Sequence, residues 1–525
     1  MKKILALFLT IILFVFLMSG CGTKKETSTL SENKKPLVIN LEGGDWGYPS
    51  PYMHYPRGPG IFKMFLVFDS LLERGENGII PWLAKDWEVS PDGKTYTFSL
   101  RSDVKWHDGK PMTAKDVKFS FEFFSKHIPV SDYLTVGGEN IVESIKVTND
   151  TTVQITSKTA NASVLEDIGT VRIIPKHIWG NVSDPKKFNT PEAVIGCGPY
   201  VLKEYKKELG AYKFEAFKDY WGPQPLVDII NFIPVSDPLL SFNKGEIDLT
   251  RVPYDVLSNY QNSDEFKVLQ NPGFWGYRII FNIEKRPELN DKSLRQAIAY
   301  AINTNELIEK VERGAGIPAS AGFLPKDHIW YNKNVKKYDF NIEKAKSLLD
   351  EKKYSFDLLV ANRSNNKEVR IAELIKIRLD EIGININIKS VDMKTRDNAI
   401  KKKDFELAIS AHGGWGKDPD VLRTHYGTKR KADGSPLSDG IPGYYNNQIN
   451  NLCNKQFLEM DKEKRKQIVY KLQELISEEV PQLPLYNTTG YVVYRPSKYD
   501  GWVYMFDHHE VTHSKISYLK GETKQ

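Results

Sequence analysis

Apolar and polar residues alternate at residues 95–100 (TYTFSL), with Tyr96, Phe98 and Leu100 on one side and Thr95, Thr97 and Ser99 on the other. A period of two predicts a half-buried β-strand. The SPDG tetrapeptide at 90–93 is the turn that leads into it. Residues 36–41 (PLVINL) predict an earlier strand. At residue 113 the pattern changes: Thr113 stands as a helix cap with Asp116 in the first turn, and the helix is expected to run to residue 126. Leu294, Ile298 and Ala301 share a helical face, as do Ile371, Leu374, Ile375, Leu379 and Ile382. Gly383 ends the latter helix, and Ile384, Ile386 and Ile388 then alternate as a strand. The apolar run at 405–409 reads as a further strand, and residues 463–479 as a helix that stops before Pro481. Helix–glycine–strand steps of this kind define an α/β body.

The amino terminus follows a different pattern. Lys2 and Lys3 precede an apolar run at 4–18 broken only by Thr10, and Ser19, Gly20 and Cys21 follow. A basic start, a short apolar run and small residues predict a secretory signal over residues 1–20. The run is shorter than the ~20 residues a membrane-spanning helix needs. Residues 17–21 (LMSGC) resemble a bacterial lipobox, which implies that Cys21 is acylated. Residues 21–37 are polar and aperiodic and predict a flexible tether. No other apolar run approaches membrane-spanning length, so the expected product is extracytoplasmic and held to the cell membrane by lipid alone.

Composition narrows the class. The chain has 525 residues, 40% hydrophobic and 12% aromatic, enough to bury large cores and too apolar for wholesale disorder. A net charge of +6 is small for this length and does not point to nucleic acid. Three cysteines build no disulfide framework; Cys197 and Cys453 read as buried free thiols, with a bridge between them left open.

At 81–124 the chain reads PWLAKDWEVSPDGKTYTFSLRSDVKWHDGKPMTAKDVKFSFEFF. GCGPY follows at 196–200, YWG at 220–222, GEID at 245–248, LRQAI at 294–298, IGI at 382–384 and PQLPLY at 481–486. This ordered set resembles the peptide/nickel family of solute-binding proteins that serve ABC importers. The resemblance implies a two-lobed α/β, periplasmic-binding-protein-like fold with a hinge and an extra subdomain in the first lobe. Lobe I is expected over 38–270 and lobe II over 271–484, with 485–525 returning to lobe I and ending in a tail. It further implies a small peptide or metal-chelate ligand in the interlobe cleft, an ABC permease and ATPase as partners, a monomer, no cofactor and no catalysis.

Clefts combine aromatic surface with a few placed polar groups. Residues 48–60 (YPSPYMHYPRGPG) offer Tyr52, His54, Tyr55 and Arg57, either as ligand contacts or as a rigid surface loop. Residues 412–420 (HGGWGKDPD) follow the strand at 405–409, and a strand end opening into a glycine-rich loop is a common ligand position. In the family the ligand loop lies here, and Trp415 and Asp418 match its pattern. Peptide binders of the family carry an aspartate upstream of the DPD triplet for the peptide amine. Here the loop is shorter and Lys417 precedes Asp418, which keeps a metal chelate or carboxylate-rich ligand open, with His412 and Arg423 as its contacts. Trp275, ahead of a strand expected at 279–282, is the third candidate, either lining the cleft or packing in the hinge.

Residues 509–513 (HEVTH) spell H-E-x-x-H, which on a helix places two histidines for zinc beside a glutamate base. The β-branched Val511 and Thr512 and the short remaining chain argue against a zinc peptidase here. No phosphate loop or nucleophile elbow occurs. A binding protein is therefore the leading reading, with a zinc metallopeptidase, or a sensor or chaperone on the same fold, as the competing classes.

Overall fold

The computed structural model describes residues 35–519 except 56–58, 133, 137–138, 363–365, 414–417, 431–435, 439–440 and 507. The signal at 1–20, Cys21 and most of the tether lie outside the described residues. Val38–Glu42 runs parallel to Ile229–Ile233, and Ala211–Ala216 and Tyr200–Lys206 complete a four-stranded sheet. A second, antiparallel four-stranded sheet joins Ala84–Val89, Thr95–Leu100, Thr152–Ser157 and Val142–Asn149. Thr95–Leu100 buries Tyr96, Phe98 and Leu100, the side its alternation specifies. The helix Ala114–Lys126 covers this sheet and opens with a complete capping box, the Thr113 side chain accepting from the backbone while Asp116 accepts from Thr113 N at 2.9 Å.

The six-stranded sheet has the order Gly316–Pro318, Gln482–Thr488, Trp275–Phe281, Leu407–Gly413, Tyr354–Asn362 and Ile384–Asp392. Its last three strands are parallel, and Lys367–Asp380 connects two of them. Gly383 takes φ +82° between that helix and its strand, a conformation that favours glycine. The expected helix at 463–479 is Lys462–Glu479. Two strands begin or end differently from the sequence expectation. Trp275 lies inside its strand rather than ahead of it, and the strand expected at 405–409 is Leu407–Gly413, which takes in His412. Pairing in register from Trp275↔Gly413 to Phe281↔Leu407 extends both.

Hydrophobic burial separates into two large cores. One gathers residues from Ile39 to Phe232 together with Leu249, Val492, Tyr494, Val511, Tyr518 and Leu519; the other runs from Phe274 to Tyr486. Cys197 and Cys453 are separate buried free thiols, one in each core.

The first core encloses four ionised side chains. Arg172 donates to both oxygens of Glu73, at 2.5 and 3.1 Å, and to Ser70 Oγ at 2.9 Å. Lys515 Nζ lies 2.5 Å from Glu73 and also donates to Asp69. The hydroxyl of Tyr220 and the indole N–H of Trp221 each donate to Asp69 at 3.2 Å. Two cations and two anions balance, and all four side chains are at most 3% exposed. Burial alone raises the Glu73 pKa, but Arg172 and Lys515 outweigh it and hold the carboxyl well below its usual range.

Two consequences are testable. Lys515→Met leaves Asp69 and Glu73 under-compensated, and the expected loss is about 3–5 kcal/mol in denaturant unfolding; a loss below about 1 kcal/mol contradicts this account. Because the folded pKa of Glu73 is depressed, its contribution is fully present above the unfolded carboxylate pKa and is lost only as pH falls below it.

Candidate functional site

Between the two cores the chain crosses twice, and the crossings run side by side. Asn271 N donates to Gly490 O at 2.7 Å, Asn487 Nδ2 to Gly273 O at 2.6 Å and Thr488 Oγ1 to Trp275 O at 3.3 Å. Tyr504 Oη donates to Asn271 Oδ1 at 2.7 Å, tying the carboxy-terminal segment to the same point. Paired crossings restrict relative motion to bending about themselves, which is the mechanics of a hinge.

Trp275 stands where one crossing enters the six-stranded sheet. A Cβ on Gly413 would lie 2.2 Å from Cε3 of Trp275, so glycine at that position makes room for the indole. Its other neighbour is His509, at 5.8 Å between ring centroids, which belongs to the carboxy-terminal segment. Trp275 is half-buried and touches both sides of the crossing.

The aromatic segment at 48–60 divides. Tyr52 is a core residue: its hydroxyl donates to His127 O at 2.5 Å, and its ring packs on Phe123, Phe124 and Trp179. His54 is buried, with Nδ1 2.8 Å from Ser50 O and Nε2 3.1 Å from Ser131 Oγ, and burial lowers its pKa. Tyr55 is 43% exposed and rests edge-on against Trp46. Arg57 lies outside the described residues.

The second candidate segment is equally mixed. The backbone of His412 pairs with Gly276. Trp415 lies outside the described residues. Asp418 accepts from Arg465 at both oxygens, at 2.5 and 2.6 Å. Arg423 donates through Nε to Asp420 Oδ1 at 2.6 Å and stacks its guanidinium 4.0 Å from the Phe457 ring. Gln456 Nε2 also donates to Asp420 at 2.8 Å and its carbonyl oxygens accept from Arg465, so the DPD corner is a closed charge network. It adjoins the first core's side of the molecule: Ala162 N donates to Phe457 O at 3.0 Å. Burial, then the charges of Glu166, Asp418 and Asp420, push Asp167 up to about 8.

Residues 509–513 form no helix that could present two histidines to zinc. Val511–His513 is a single 3₁₀ turn, and Glu510 is paired with Arg251. Instead His513 stacks on Phe62 at 4.1 Å, His508 stacks on His509 at 4.7 Å, and His508 meets His513 edge-on at 4.9 Å. No cluster of three or more metal-ligating side chains with metal-holding geometry occurs among the described residues. Phe62 and His508 escaped the sequence reading because nothing local links residue 62 to residue 508.

A hinge between two cores, with an aromatic at the crossing, defines a two-lobed binding protein. The sequence matches the family described as bacterial extracellular solute-binding proteins, family 5 (middle), over residues 78–434. It is 29% identical to the dipeptide-binding protein of Escherichia coli over 76% of this chain and 80% of that one. It is 26% identical to the nickel-binding periplasmic protein of the same bacterium, over 73% of this chain and 76% of that one. Among solved structures, a putative peptide-binding protein from Clostridium difficile superposes with a TM-score of 0.75 at 26% identity, covering 88% of this chain and 94% of that one. The chain belongs to family 5 of the bacterial extracellular solute-binding proteins, and it is a transport binding protein rather than an enzyme.

The histidine cluster makes acid sensitivity predictable. Burial first, and mutual and neighbouring positive charge second, lower the pKa of His508 and His513 well below normal, and His509 to about 4. A folded pKa below the unfolded ~6.5 means that stability is present above pH 6.5 and is lost as pH falls toward 4. Each histidine contributes at most about 1.4 kcal/mol per pH unit in that window. The melting temperature is therefore expected to fall between pH 7 and 5, and His513→Phe to flatten the slope; parallel slopes for the two proteins would reject this assignment.

Proposed function

We propose that this protein captures an oligopeptide or dipeptide between two lobes and delivers it to an ABC permease and its ATPase. The paired crossings at 271–275 and 487–491, with Trp275 seated on them, carry the reading. Two bodies with separate cores can rotate about such a hinge and close on a solute. Lobe I takes residues 38–270 and the return beyond 484, with the sheet containing Thr95–Leu100 as its extra subdomain. Lobe II takes 271–484. Tyr55, Arg57, Trp275, His412 and Trp415 are the proposed cargo contacts. Tyr52 and His54 are packed inside lobe I, and Asp418 and Arg423 brace the DPD corner. Acylated Cys21 and the tether hold the monomer at the cell membrane.

A second reading is a nickel or other metal chelate. One observation favours it: both oxygens of Asp418 are held by Arg465, so this aspartate does not present a free carboxylate to a peptide amine.

Native mass spectrometry of the protein from its own host, with the anchor removed, separates the two. A ladder of peptide masses is expected; one small mass with a metal isotope pattern transfers the assignment to chelate import. Trp275→Ala is expected to weaken cargo binding about tenfold or more, with an unchanged fold by circular dichroism. Unaltered affinity removes Trp275 from the cleft.

A further inference from the structure

Beside the hinge, the second lobe gathers a group of buried hydrogen-bond donors. Arg278 Nε and Nη1, Tyr426 Oη and Gln482 Nε2 are all shielded from solvent. The Gln482 amide is turned toward the Tyr426 hydroxyl, whereas Arg278 Nε and Nη1 have no partner among the described residues. The three side chains converge from three elements. Arg278 lies on Trp275–Phe281, three residues beyond Trp275. Gln482 begins the neighbouring strand opposite Ile280, and Tyr426 ends the helix Val421–Tyr426. Phe323 lies against two of them, its ring 5.8 Å from the Arg278 guanidinium and 5.2 Å from the Tyr426 ring. Phe323 takes φ +82°, a backbone conformation that a bulky aromatic adopts only when its surroundings impose it.

Arg278 contrasts with the four fully buried arginines among the described residues. Arg172 pairs with Glu73, Arg396 with Glu368 and Arg465 with Asp418, and Arg295 donates to the carbonyls of residues 289, 290, 479 and 480. Among the described residues no carboxylate pairs with Arg278. The acidic groups of the adjoining corner, Asp418 and Asp420, are committed to Arg465 and Arg423. Burial pushes the Arg278 pKa down to about 10, and no carboxylate offsets it. His425, packed on the same Phe323, is held neutral by burial and by the charge of Arg278. An uncompensated buried cation and unfilled donors are both costly, and an anion removes both costs together. Arg278 as a residue is half-buried rather than fully enclosed.

We propose that Arg278, with Tyr426 and Gln482, forms the pocket that binds a carboxylate of the cargo. This rests on the reading that the cleft captures cargo, and it names what that cargo must carry. The carboxylate belongs either to a peptide carboxy terminus or to an acid group of a metal chelate. On this account the protein selects cargo by its negative end.

The test uses the chain without its lipid anchor, as wild type, Arg278→Gln and Tyr426→Phe. The probes are a tripeptide library with free carboxy termini, the same library amidated, and the nickel complexes of citrate and histidine, read by calorimetry and thermal shift. Wild type is expected to bind free acids at least about tenfold tighter than amides, or to bind the carboxylate chelates, and Arg278→Gln to lose about 10- to 100-fold. Tyr426→Phe is expected to lose less. Unliganded Arg278→Gln should melt no lower than wild type, because an unpaired buried charge has been removed. That readout separates a binding role from a structural one. Peptides that bind alike with and without Arg278, or alike as acids and amides, overturn the pocket and leave the peptide reading standing. Chelates that bind only through Arg278, with both libraries inert, keep the pocket and end the peptide reading. If no probe binds wild type, or if Arg278→Gln lowers the melting temperature without changing affinity, the proposal fails.

Discussion

The first lobe depends on one buried exchange of charge. Asp69, Glu73, Arg172 and Lys515 come from three distant parts of the chain, and Lys515 is 446 residues from Asp69. None of the four is tolerable alone in a core, because each has given up its hydration. Together they are neutral, and Tyr220 and Trp221 supply further donors to Asp69 while Ser70 Oγ is an acceptor for Arg172. A network of this kind adds little net stability over a hydrophobic equivalent. What it supplies is registry: Lys515 reaches both Asp69 and Glu73, which ties the carboxy-terminal segment to the first lobe.

That registry reaches the hinge. With Lys515 seated, His513 stacks on Phe62 and His509 faces Trp275 at the crossing. The segment after the second crossing is thus anchored within the body from which the first crossing departs. A binding protein needs two rigid bodies and one compliant joint, and the interactions divide accordingly. Dense aromatic and ionic packing holds each body, while a few backbone and side-chain hydrogen bonds join the crossings. The DPD corner belongs to the rigid category. Its carboxylates are neutralised within their own lobe, and the unsatisfied polarity lies instead at Arg278.

Local signals in the sequence translated well. The capping box at Thr113, the alternation of Thr95–Leu100 and the helix–Gly383–strand step each depend on neighbours within a few residues, and each formed where expected. Site residues were less legible. Tyr52 belongs to an aromatic-rich segment that resembles a binding surface, yet its partners Phe123, Phe124 and Trp179 make it core. Composition cannot tell an aromatic that packs from one that waits for a ligand, because both bury the same apolar area. Asp418 looked available until Arg465, 47 residues later, closed on it. The HEVTH string needs a helix to become a metal site, and the chain makes one tight turn there.

The sequence by itself determined the α/β class, the element boundaries set by caps and glycines, and the family, because these reside in local periodicity and in the order of short motifs. Tertiary structure alone decided which charges are spent and which are free. A side chain's availability depends on partners tens to hundreds of residues away, and on whether water can reach it once they have packed. Arg278 and Arg465 are the same residue type on paper; one found a carboxylate in the fold and the other did not.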